Sequence, residues 1–475
     1  MILIVLDTAR ADAFEPYGAR HGSSPAVGQL ARRGQAHEAF SAAPWTVPSH
    51  ASMFSGLLPE AAGIPGPDPE NMGERTRAAL PALRDRWLPA VLSAAGYQTV
   101  GISANVQISE ATGFPMGFDQ FEYIAPARCG AMAATSAVGQ LAFALLAVRA
   151  RTDDGAADIG RRLDDWIASP RRAPFFWFVN LIECHTPYLP PKPYSPLGPL
   201  GRLRAGREAQ RHLTQMRLWR AAAGGFDIPQ DAVERMRLLY AASVRQADDW
   251  VARLLDRLDQ AGLLNETIVI VTADHGENLG EGNLIGHVFS LDDRLIRVPF
   301  VVCGPAAPVP GPRFSLLDLP GWIAASCGIA DAPWPAPGHR EVAVAQFTAP
   351  GEPGDPRAEM VAEAWGLGQD TVATLTTSLS CATNGQLKLQ RRGGAEELID
   401  IEQDPLEVAP RPVGDPEERR YAAALAQLRA ALAEADRPEQ APDAPAAPAA
   451  PAARWQPSAE ETAALEASLR HLGYM

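Results

Sequence analysis

Cysteine is scarce in this chain, and what there is lies scattered. Cys129, Cys184, Cys303, Cys327 and Cys381 form an odd set of five with no Cys-x-x-Cys pair. That pattern argues against a disulfide framework or a zinc ribbon and leaves buried free thiols as their use. Positive charge is also in deficit: 42 Lys and Arg stand against 56 Asp and Glu, a formal net charge of -14 over 475 residues. Polyanions are drawn to basic faces, so this balance argues against a nonspecific nucleic-acid or anionic-membrane surface. An anionic substrate would need a local positive centre, such as a metal ion. No apolar run reaches the roughly 20 residues of a spanning helix. The nearest, Met132 to Val148, is Ala-rich and interrupted by Ser136 and Gln140, and reads as a packed helix. MILIVLD at the start has neither a basic n-region nor a cleavage site, so a reducing cytoplasm is the default expectation. A periplasmic or secreted protein is the alternative if an upstream leader has been lost.

What the chain does have is ordinary globular material: 47% hydrophobic and 21% charged residues, enough for a substantial core. ILIVLDT at 2 to 8 is a continuous apolar run ending in an acid, as expected of a strand buried on both faces. YQTVGISAN, PFFWFVNLIECH, NETIVIVTADHGE and VPFVVCGP supply four more strand candidates, separated by helical stretches from Pro25 and from Asp231 to Ala261. Strands alternating with helices predict an α/β fold with a mostly parallel central sheet sandwiched by helices. Residues 1–350 would form this α/β domain. In 351–436, Thr-rich and alternating runs broken by NG and GG predict hairpins of a smaller C-terminal α+β subdomain, closed by the helix RRYAAALAQLRAALAEA. The pair Arg391 and Arg392, near Lys388, reads there as a solvated hairpin. A Pro/Ala-rich linker then spans 437–457 and a short amphipathic helix 458–475.

In parallel α/β sheets, ligands collect beyond the carboxyl ends of the strands. Polar groups capable of chemistry end three of these strands: Asp7, then Glu183 with His185, then Asp274 with His275. Carboxylate oxygen and neutral imidazole nitrogen are ligands for a divalent cation. The stretch SAAPWTVPSHASMFSG adds Thr46, Pro48 and His50 in a setting suited to a buried turn running into a helix. Local structure alone would explain it, with Pro48 in a first helical turn and Thr46 or Ser49 as the cap.

Taken in order, LDTARAD, APWTVPSHASMFSG, HTPYLPPKPY and TADHGENLGE followed by GH resemble the sulfatase-like branch of the alkaline phosphatase superfamily. The tail LKLQRRGGAEELIDIEQDPLE resembles that family's C-terminal subdomain, and HLGYM its common ending. The resemblance implies a divalent metal (Zn, Mn, Ca or Mg) held by Asp7, Asp274 and His275, with Thr46 as metal-bound nucleophile. It implies that His185 and His287 contact substrate phosphate or a second metal, and either could protonate a leaving alkoxide. His50 and Asn105 would bind substrate, Glu277 and Glu281 would brace His275, and Arg10 would hold an anion or pair with an acid.

The sequence departs from true sulfatases at two positions. Their nucleophile is a Cys or Ser converted to formylglycine within Cys/Ser-x-Pro-x-Arg, whereas here Thr46 stands at the modified position and His50 replaces the arginine. Threonine carries an extra methyl and cannot yield that aldehyde. A threonine nucleophile instead resembles the superfamily's phosphoethanolamine and phosphoglycerol transferases and nucleotide phosphodiesterases. The expectation is therefore an ester hydrolase of phosphate mono- or diesters, and by extension phosphonates. Alternatives are a sulfuric ester hydrolase, a transferase of those types, and a non-catalytic binding module on the same fold. The partner would be a phosphate or sulfate ester, small-molecule or on a glycan or lipid headgroup.

Overall fold

The computed structural model describes residues 1–67, 72–126, 137–151, 153–169, 174–305, 313–335, 340–414 and 419–437. Along the chain run β1 (Ile2–Leu6), β2 (Gln35–Phe40), β3 (Gln98–Ser103), β4 (Gln120–Tyr123), β5 (Phe175–Leu181) and β6 (Val269–Thr272). A small ribbon follows, β7 (Asn278–Leu279) with β8 (Ile285–Gly286), and then β9 (Arg297–Cys303) and β10 (Arg313–Ser315). Eight of these make one sheet in the order β10, β2, β9, β6, β1, β5, β3, β4. β1 sits near the centre because all five of its residues are apolar. Parallel β5 flanks it on one side and parallel β6 on the other, with Leu3 opposite Phe178 and Ile4 opposite both Val179 and Val271. Each such side chain, removed from water, contributes roughly 1.5–3 kcal/mol.

β9 alone runs against its neighbours, antiparallel to both β6 and β2. Two reversals restore the direction, so β2 points the same way as β6 and β1. The carboxyl ends of β1, β2, β3, β5 and β6 therefore share one edge of the sheet. The 31-residue helix Gln230–Gln260 covers one face. Its Asp248 accepts from the backbone N–H groups of Ala26 and Val27 at 3.0 and 2.8 Å and so caps the helix Pro25–Arg33.

A second sheet of five antiparallel strands comprises β11 (Ala343–Phe347), β12 (Leu379–Thr383), β13 (Leu387–Arg392), β14 (Ala395–Asp400) and β15 (Arg411–Pro412). The NG and GG pairs fall at its hairpin turns, and the helix Ala422–Ala435 buries Leu425, Leu428 and Leu432 against it. Its first strand draws on residues before 350. The Thr-rich start of the hairpin region, TVATLT, is helical instead, within Gln369–Thr376. There Thr371 donates to the Ala223 carbonyl and Leu375 is buried, so packing overrides the β preference of threonine. Lys388 also departs from the solvated-hairpin expectation: its side chain is wholly buried. The linker 437–457 and helix 458–475 expected from the sequence lie outside the described residues, apart from Arg437.

From the Met132–Val148 stretch, the described helix Ala137–Arg149 buries Phe143 and Ala147. Gly206 of the helix Pro199–His212 comes so close there that an added Cβ would lie 2.8 Å from the Ala147 methyl. Among the described residues no helix is long and apolar enough to cross a membrane. Cys184, Cys303, Cys327 and Cys381 are all free thiols.

Glu183, just past β5, turns toward the helix Ala156–Ala168, where one carboxylate oxygen accepts from the Ala156 N–H at 2.9 Å. Burial, reinforced by the nearby Asp154 charge, pushes its pKa up to about 8. An unfolded chain releases this proton near pH ~4.3, so between these values the folded state holds the extra proton and stability falls as pH rises. Glu183→Gln keeps the acceptor for Ala156. Urea unfolding near pH ~5 and again above pH ~8 is expected to show the variant gaining on the wild type as pH rises. A pH-independent difference between the two would contradict a proton held by Glu183.

Candidate active site

The shared edge of the sheet brings the sequence-derived residues together. Asp7 follows β1 directly and Asn105 lies two residues past β3, while Asp274 and His275 lie just beyond β6. The loop after β1 turns sharply, with Thr8 at φ 59°. Three bonds fix it: Thr8 N–H donates to Asp274 Oδ1 at 3.2 Å, and Tyr240 of the long helix both donates to the Thr8 carbonyl and accepts from Arg10 N–H at 2.8 Å. From the end of β2 the chain enters the helix Thr46–Ser55, all of whose residues are buried, and stops at Gly56 in a left-handed conformation (φ 71°). Ser49 anchors this helix to the β6 loop by donating to the Asp274 carbonyl at 2.7 Å.

One ligand atom each from Asp7, Asp274 and His275 lie within 4.8 Å of one another, and all three side chains are completely buried. Asp7 Oδ1 and Asp274 Oδ2 have no hydrogen-bond donor. His275 Nδ1 lies 2.9 Å from the Gly276 carbonyl, which can only accept. That contact puts the proton on Nδ1 and leaves the Nε2 lone pair facing Thr46 Oγ1 at 3.3 Å and Asp274 Oδ2 at 3.3 Å. Burial, then the Asp7 charge, pushes the Asp274 pKa well up, and burial holds His275 well below the usual imidazole range. Two carboxylate oxygens without donors and an imidazole lone pair within reach of the Thr46 hydroxyl make an acceptor-rich set. The chemistry of this donor set fits a divalent cation.

Around this core, Asn105 donates from Nδ2 to Asp7 Oδ2 at 2.7 Å and reaches Thr46 Oγ1 at 3.5 Å. His50 is fully buried among the rings of Phe54, Phe114 and Phe178. Its Nδ1 donates to the Thr46 carbonyl at 2.9 Å and its Nε2 meets Asn180 Nδ2 at 3.4 Å. Burial lowers its pKa to about 4. His287 lies ring to ring with His275 (centroids 4.6 Å apart) and with His185 (5.1 Å). Its Nδ1 is 3.0 Å from Glu277 Oε1. Burial pushes the His287 pKa down, but Glu277 overcompensates and the net direction is up.

Some expectations shift. Glu277 braces His287 instead of His275, and its other oxygen accepts from Tyr188 at 2.6 Å. Glu281 pairs with Arg10 at 2.8 Å, and Arg10 also pairs with Asp12 at 2.6 Å, so this arginine is committed to acids. Glu183 faces away, toward Ala156. Sequence reasoning missed Tyr188, Tyr240, Asn180 and Ser49 as supports. HTPY contains Tyr188, but only its partner 89 positions away reveals its part.

The Sulfatase family model matches residues 1–315. The chain belongs to the sulfatase family. It is 25% identical over 146 residues to the multifunctional alkaline phosphatase superfamily protein PehA of Trinickia caryophylli, covering 27% of this chain and 28% of that protein. The chain thus spans less than a third of that relative's length. An arylsulfatase of Clostridium perfringens is 23% identical over 351 residues, 67% of this chain and 71% of that enzyme. The phosphonate monoester hydrolase of Agrobacterium radiobacter shares the fold at a TM-score of 0.62 and 17% identity, over 91% of this chain and 94% of that one.

Asp274→Asn tests the cation site, because the amide oxygen can still accept from Thr8 and His275 while one buried negative charge is lost. After chelation the variant is expected to be at least as stable as the wild type. A divalent cation at a hundredfold excess over its Kd raises the wild type by about 2.7 kcal/mol, and this gain is expected to vanish in the variant. A thermal shift equal in both proteins would remove Asp274 from any such site.

Proposed function

We propose that this protein is a divalent-metal-dependent ester hydrolase acting on phosphate mono- or diesters, or on phosphonate esters, with Thr46 as its nucleophile. The observation that carries the reading is the Thr46 hydroxyl, 3.3 Å from His275 Nε2 and beside the orphaned oxygens of Asp7 and Asp274. Asp7, Asp274 and His275 would hold the cation, with Thr46 as a further ligand. A cation bound there would lower the pKa of the threonine hydroxyl and offset charge on the substrate's phosphoryl oxygens.

The chain's own groups supply the rest. Thr46 begins a buried helix, so backbone N–H groups and the positive end of its dipole meet an anionic group. His50, bonded to the Thr46 carbonyl, and Asn105, near its hydroxyl, fix the angle of attack. With its proton lost to solvent, the Thr46 oxygen attacks phosphorus, forming that bond and breaking the bond to the leaving alkoxide, which takes a proton from His287 or His185. Water then attacks phosphorus, its proton returning to that histidine as the bond to the Thr46 oxygen breaks. Glu277 keeps the His287 ring oriented and favours its protonated form. Sulfate hydrolysis through formylglycine has no counterpart here, because a threonine at position 46 cannot become the aldehyde.

Thr46→Ala is expected to lower kcat/KM toward aryl phosphodiesters and phosphonates by on the order of 10³-fold or more, as for other lost nucleophiles, while Thr46→Ser retains most of it. Intact-protein mass spectrometry after acid quench is expected to show a phosphoryl adduct on the wild type alone. Aryl sulfates turned over faster than aryl phosphates, with no adduct at Thr46, would overturn the reading.

A further inference from the structure

The chain uses arginine in place of lysine almost everywhere, and Lys192 and Lys388 are its two lysines. Lys388, on β13, is wholly buried. Its ammonium sits 2.6 Å from Asp293 Oδ1, 2.6 Å from Glu407 Oε2 and 2.9 Å from the Leu291 carbonyl. Burial pulls its pKa down, but the two carboxylates more than restore it, so the group is a cation. Glu407 also accepts from the Asp293 N–H, closing the cluster.

Leu291 and Asp293 belong to the segment that follows His287. Within it Phe289 has φ 63°, a left-handed conformation in which a bulky residue is strained. Such a conformation persists only where its surroundings over-determine it. Phe289 is held edge-on between Trp219 and Phe347, each 5.3 Å away by ring centroid. Phe347 lies on β11, so two strands of the smaller sheet grip the same strained segment, one through a ring and one through a buried ammonium.

We infer that Lys388 is a positioning residue: by drawing Leu291, Asp293 and Glu407 onto the smaller sheet, it holds the strained segment that presents His287 beside His275 and His185. This rests on the reading of His287 as a proton donor to the leaving alkoxide. The C-terminal sheet thereby becomes part of the catalytic apparatus without touching substrate.

Leaving-group dependence separates this role from plain stabilisation. A 4-nitrophenolate departs without help, whereas an alkoxide needs the proton. Lys388→Met leaves buried carboxylates unpaired, so it is compared with Lys388→Met/Glu407→Gln, which removes charge in pairs. In folded variants, kcat/KM is expected to fall at least tenfold more for methyl or phenyl esters than for 4-nitrophenyl esters, and His287→Ala is expected to show the same selectivity. Should the lysine variants not fold, Phe347→Leu loosens the other grip with no buried charge and carries the same expectation. Equal losses across leaving groups in the clasp variants, with His287→Ala selective, overturn the inference and leave the proposed function standing. A non-selective His287→Ala overturns both.

Discussion

Asp7 and Asp274 are two carboxylates closed off from water at the ends of neighbouring parallel strands, and much of the surrounding architecture responds to that. At an effective dielectric of about 20, like charges about 4 Å apart repel by roughly 4 kcal/mol. Among the described residues, neither carboxylate pairs with a lysine or an arginine. The fold gives each carboxylate one satisfied oxygen, through Asn105 on Asp7 and through the Thr8 and His275 backbone on Asp274, and leaves the second oxygen of each without a donor. Two histidines adjoin Asp274 Oδ2, at 3.3 and 3.5 Å, yet both commit their Nδ1 to carbonyls. A divalent cation bound here would supply the missing positive charge.

Holding acceptors in that unfavourable array requires rigid supports, and they arrive from distant parts of the chain. Tyr240 clamps the β1 loop from the long helix, Ser49 ties the Thr46 helix to the β6 loop, and Tyr188 reaches Glu277 to fix His287. Each is a buried hydroxyl satisfied at the site. A buried polar network of this kind is stabilising only when its members are paired, and the two unpaired carboxylate oxygens within it, on Asp7 and Asp274, lie where a ligand would meet them.

Those contacts also explain what the sequence made legible. β1, β3, β5 and β6 were readable because a strand buried on both faces is an uninterrupted apolar run, and its first polar residue marks the sheet edge where ligands gather. Asp7, Asn105, Asp274 and His275 fall at such edges. β2, QAHEAF, escaped notice because its first four residues are exposed or half-buried and carry no apolar run. TVATLT misled because threonine's β preference yielded to one buried face of a helix. Lys388 looked like any basic residue in a hairpin, since nothing near it in sequence reveals Asp293, 95 positions earlier, as its partner. Tyr188 and Tyr240 share that difficulty: a hydroxyl's partner is fixed by topology, and topology is only weakly written in local pattern.

The same distribution of charge bears on which esters suit the pocket. Arg10, beside the first carboxylate in sequence, is engaged by Asp12 and Glu281, and Lys388 is engaged by Asp293 and Glu407. His50 and His275 are held neutral by burial. Within the proposed reading, attraction for an anion comes from a bound cation, the start of the Thr46 helix and His287, whose pKa Glu277 raises. Asp7 and Asp274 together match the charge of one divalent ion, so a doubly charged monoester would enter with little surplus positive charge to meet it. A singly charged diester or phosphonate monoester asks less of the site. Within the proposed reading, this charge count weighs toward monoanionic esters.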